Sequence, residues 1–67
     1  MTDSKKLYDR IHHDVYEQVA SYRRLEQSAL IEGQTQAAER YYHQYMAALS
    51  IAYVIEDIGK EVGFNHD

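Results

Sequence analysis

The chain contains no cysteine, no proline and no tryptophan, only three glycines and a single phenylalanine. Without cysteine there are no disulfides and no thiolate metal sites, a composition that fits a reducing compartment. Without proline, nothing inside a long helix removes a backbone donor or forces a kink. Gly33 is the only glycine before position 59, so the chain has one central breaker. No basic-then-apolar leader opens the sequence, so a secretory signal is not expected and the chain is assigned to the cytoplasm. The longest apolar run, MAALSIAYVI at 46–55, is about half of what a membrane span needs, and reads as a core segment.

Catalytic signatures are missing too. There is no glycine-rich phosphate loop and no Ser/His/Asp set that chain order can support, and two helices offer no deep pre-formed pocket. The chain is therefore expected not to be an enzyme and to carry no cofactor. Eleven acidic against seven basic residues give a net charge of −4, which disfavours non-specific binding to nucleic acid or to an anionic membrane.

What remains is a helical pattern. Sixty-seven residues form one domain, 1–67, and chains this short usually need disulfides, metals or oligomerisation to complete a core. The pattern predicts an all-α antiparallel hairpin with helix 1 at about Ser4–Glu32 and helix 2 at about Thr35–Val62. Asp3 or Ser4 is expected to cap the first helix, and Thr35 the second. Gly33 suits the left-handed residue that closes helix 1. Gly63 repeats that stop signal, with Phe64 placed to pack back near Ile58 or Gly59. A connection of about two residues makes the helices antiparallel neighbours.

Projected at 100° per residue, helix 1 carries one apolar stripe: Leu7, Tyr8, Ile11, Val15, Val19, Tyr22, Leu25 and Ala29. Helix 2 carries two. Tyr42, Tyr45, Leu49 and Tyr53 form one, and Ile51, Ile55, Ile58 and Val62 the other, with small Ala48, Ala52 and Gly59 between them. A helix apolar on two faces has two apolar neighbours, and helix 1 supplies only one. The expected solution is a homodimeric four-helix bundle, with Tyr45, Ala48, Ile51, Ala52, Ile55, Ile58 and Val62 at the dimer interface. The alternative occupant of that face is a different protein.

The stretch RYYHQY at 40–45 concentrates aromatic residues at the loop end. Tyrosine and arginine are enriched at interaction hot spots. Arg23, Arg24, Arg40, Tyr41 and Tyr42 are thus the candidate partner-binding set, weighed against plain bundle packing with hydroxyls at the rim. The favoured functional class is an accessory regulator or inhibitor that binds another protein, of a size that fits a phage or plasmid product. RNA binding by a dimer of helical hairpins is the alternative; it lacks a recognition motif and a positive field. A third reading is a metal site between chains, with His12, His13 and His43 as candidate ligands. The Glu-x-x-His pattern of di-iron bundles is absent, because Glu39 precedes His43 by four. The acids Glu56, Asp57 and Glu61 gather with Asp3, Asp9 and Asp14 at the open end, where basic neighbours partly neutralise them.

Overall fold

The computed structural model describes residues 2–64. It contains two helices, α1 (Thr2–Ile31) and α2 (Thr35–Val62), packed against each other in an elongated body of 48 × 17 × 16 Å. There is no strand among the described residues. The all-α hairpin expected from the sequence is present.

The turn between the helices is fixed by backbone bonds. Gly33 takes a left-handed φ of 75°. The Gly33 amide donates to the Leu30 carbonyl at 3.1 Å, and the Gln34 amide to the Ala29 carbonyl at 2.8 Å. These two bonds satisfy carbonyls that the end of a helix would otherwise leave unpaired. Gly63 (φ 81°) closes α2 in the same way, with Phe64 donating to the Gly59 carbonyl at 2.8 Å. Phe64 does not turn back on its own helix alone. Its ring lies 5.3 Å from that of Tyr8, so the C-terminal cap is tied to α1.

The caps differ from expectation. Helix α1 begins at Thr2, which puts Asp3 inside the first turn. There its carboxylate opposes the positive end of the helix dipole rather than acting as the cap. Ser4 also lies within α1. Gln34, not Thr35, occupies the N-cap of α2, and no side chain caps it. The tight turn leaves Thr35 already helical, and the Gln34 carbonyl accepts from Ala38 at 2.9 Å.

Where the helices meet, withdrawn side chains recur every three or four residues. On α2 they are Ala38, Tyr41, Tyr45, Ala48, Ala52, Ile55 and Gly59; on α1 they are Lys5, Tyr8, His12, Val15, Val19, Tyr22, Glu26 and Ala29. This is the spacing of two helices crossing at a shallow angle. Only small residues are fully buried: Ala29, Ala38, Ala48, Ala52 and Gly59. Large residues lie half-buried along the margins. The seam is a narrow contact in which small side chains let the backbones approach, and it encloses no deep core.

Two corrections follow. Ala48 and Ala52, assigned from the sequence to a dimer interface, face α1 of the same chain; Ala52 has no exposed surface at all. Conversely, Leu7, Ile11 and Leu25 of the α1 stripe are exposed. Polar Lys5, His12 and Glu26 take part in the seam, which rotates α1 away from its purely apolar stripe.

Candidate interaction surfaces

The narrow seam divides the hairpin into two broad faces. On one, Gln18 and Tyr22 of α1 and Gln44, Ala47 and Ile51 of α2 line a shallow groove. At 100° per residue, Leu7, Ile11 and Leu25 continue the α1 side of this face and Ile58 and Val62 the α2 side. All six large aliphatics are exposed. Antiparallel register gathers five of them, Leu25 excepted, in the half of the hairpin away from the loop. That register is set by the Tyr8 hydroxyl, which donates to the Ile55 carbonyl at 3.2 Å, and by His12 opposite Glu56.

The other face is aromatic and charged. Tyr42, Met46 and Tyr53 are exposed on α2, with Leu30 on α1. Tyr42 and Tyr45 have ring centroids 6.4 Å apart. The Arg23 guanidinium lies 5.2 Å from the centre of the Tyr45 ring, a cation–π geometry. Its Nη1 is also 3.5 Å from Glu26. Glu26, Leu30, Ala38 and Tyr42 line a groove at the loop end of this face.

Towards the open end, the same face holds a polar cluster that hydrophobic patterning does not reveal. His12 lies 4.7 Å from the Tyr16 ring and 5.8 Å from the Tyr8 ring. Its Nε2 is 3.5 Å from Glu56. The Tyr16 phenol is pushed up from 10.0 to about 12, first by its partial burial and then by the hydrogen bond it donates to Glu56 and that residue's negative charge. Glu56 is lowered, chiefly by the Tyr16 hydrogen bond, against desolvation as the next-largest effect, with His12 and then Lys60 lowering it further. The phenol and the carboxylate thus bias each other's protonation from opposite helices. The i, i+4 spacing of Tyr8, His12 and Tyr16, facing an acid near the chain's other end, was the available signal for it.

The five residues grouped at the loop end do not form one surface. Arg23 and Tyr42 share the aromatic face. Tyr41 is half-buried in the seam. Arg24 donates to Ser21 at 3.3 Å and lines a hollow on the outer side of α1 with Ser21, Leu25 and Ser28. Arg40 lies beside the loop with Gly33, Gln34 and Thr35. Of the predicted interface residues, Ile51, Ile58 and Val62 are exposed, whereas Tyr45 and Ile55 are half-buried.

The histidines are likewise separated in character. His12 is partly enclosed. His13 is exposed, 3.5 Å from Asp14 and 3.6 Å from Glu17. His43 stands on the outside of α2 against the Tyr42 ring. Among the described residues no group of three His, Cys, Asp or Glu side chains is arranged to hold a metal ion. No helix among them is long and apolar enough to cross a membrane.

Comparison of the chain with protein-family models, curated proteins and solved structures finds no match.

Proposed function

We propose that this chain is a protein-interaction module: a helical hairpin that pairs with a second copy in a four-helix bundle and binds another protein. One observation carries the reading. Packing within the chain buries only alanines and a glycine, and leaves large side chains uncovered on both faces. Water-exposed aliphatic and aromatic area of this extent favours association. Two faces of different chemistry suit two different occupants.

The aromatic face suits the heterologous partner. Tyr42, Tyr53 and Arg23 combine large contact area, little conformational entropy to lose and directional donors, the composition of interaction hot spots. Arg24, Arg40 and Tyr41 lie elsewhere and are set aside from this site. Mixed charge on the face, with Glu26 beside Arg23 and Glu56 nearer the open end, favours a protein over a phosphate backbone.

Capture from the source cell's lysate tests this reading, using wild type and the double variant Arg23→Ala/Tyr42→Ala. The variant is expected to keep its helicity and lose the captured protein. Retention of that protein by the variant contradicts the proposed site. Captured RNA that is released as salt rises favours the nucleic-acid alternative, because phosphate contacts release counterions.

A further inference from the structure

We infer that the aliphatic face is the surface on which the second copy docks, and that the aromatic face stays outside the dimer. This rests on the two-copy reading above and specifies it.

Area is the first ground. A compact monomer of 7.9 kDa exposes about 4,400 Å² on the empirical scaling with mass. This chain exposes 5159 Å², an excess of roughly 750 Å² over that scaling. The excess is close to the roughly 800 Å² that one partner contributes to an interface of standard size. Covering one face of that size would bring the exposed area per chain to that of a compact monomer.

Charge decides which face. A two-fold interface sets a patch against itself, so whatever lies at its middle is desolvated twice. The aromatic face carries Arg23, Glu26 and Glu56 among its rings. Self-association there would desolvate Arg23, Glu26 and Glu56 and set like charges against each other across the two-fold axis, which is costly. Leu7, Ile11, Ile51, Ile58 and Val62 carry no charge. The groove between the helices holds only neutral Gln18 and Gln44 as polar side chains besides Tyr22. Asp14, about 20° from Leu7 and Leu25 in the same projection, and Arg40, about 20° from Ile51, are the charged residues that share this azimuth, and they are opposite in sign.

The test uses the absence of native cysteine. Ile51 is 54 % exposed and Tyr53 57 %, on opposite faces, so a thiol at either position would be equally reactive in a lone hairpin. Ile51→Cys and Tyr53→Cys are alkylated with iodoacetamide, each at about 1 µM and about 100 µM protein, alongside sedimentation of the same samples. Ile58→Cys serves as a second probe of the aliphatic face, and circular dichroism checks that every variant is helical. The expected result is that Ile51→Cys and Ile58→Cys react about tenfold more slowly in the dimeric sample while Tyr53→Cys is unaffected. A dimer in which Tyr53→Cys is protected, or the aliphatic-face thiols are not, overturns the face assignment and leaves the two-copy reading standing. Wild type that sediments as a folded monomer at both concentrations overturns both.

Discussion

The Tyr8 phenol lies over Gly59, so close that a Cβ on that residue would fall within the ring's van der Waals envelope. The same hydroxyl reaches the Ile55 carbonyl, one turn back along α2, at 3.2 Å. A glycine inside a helix costs about 1 kcal/mol relative to alanine. Here the missing methyl is what lets a tyrosine of α1 rest on the backbone of α2, with Phe64 closing over it.

This contact predicts a change of sign. In wild type, Gly59→Ala displaces the ring and is expected to destabilise, since overpacking costs about 1–3 kcal/mol against a propensity gain of about 1 kcal/mol. In a Tyr8→Ala background the obstruction is gone, and Gly59→Ala should stabilise by about 1 kcal/mol. Urea unfolding of the four variants, at one fixed protein concentration, measures both values. The same sign in both backgrounds would mean that the ring does not occupy the site.

Ala52 has no accessible surface. Ala52→Leu should cost about 1–3 kcal/mol by forcing the helices apart. Val54→Leu, on the exposed back of the same helix, is expected within about 0.5 kcal/mol of wild type. Equal effects at the two positions would place Ala52 on an open surface.

Much of this architecture was legible beforehand. Gly33 and Gly63 marked the helix ends correctly because a left-handed C-terminal residue has few substitutes. The small row Ala48, Ala52 and Gly59 was also legible as a close seam, but its partner was misassigned. Hydrophobicity alone put Leu7, Ile11 and Leu25 on the inner face of α1. The actual seam follows the spacing of three and four residues through Lys5, His12 and Glu26, which a scale that counts only apolar residues passes over. Once α1 turns to the alanine row, the flanking stripes of α2 are both left uncovered. The His12–Tyr16–Glu56 cluster could not be read from either helix alone, because its members lie about 40 residues apart in sequence and meet only through the antiparallel register.

That cluster gives a titration with a defined direction. Tyr16 has its phenol raised from 10.0 to about 12 in the folded chain, so the fold favours the protonated form. Its contribution to stability is complete below pH 10 and is lost as pH rises through about 12. Glu56, lowered in the fold, contributes above its unfolded value and loses that contribution as pH falls through its folded one. Tyrosinate absorbance should show one of the seven tyrosines titrating late, near pH 12, and Tyr16→Phe should delete that step alone. Seven tyrosines titrating together in the folded chain would contradict the Tyr16–Glu56 pairing.

Sedimentation equilibrium of the wild-type chain tests most directly the claim that the hairpin is completed by another copy of itself. At about 10 µM the wild-type chain is expected to be a single species of twice 7.9 kDa that dissociates on dilution. A species of 7.9 kDa that keeps full helicity at that concentration would contradict it.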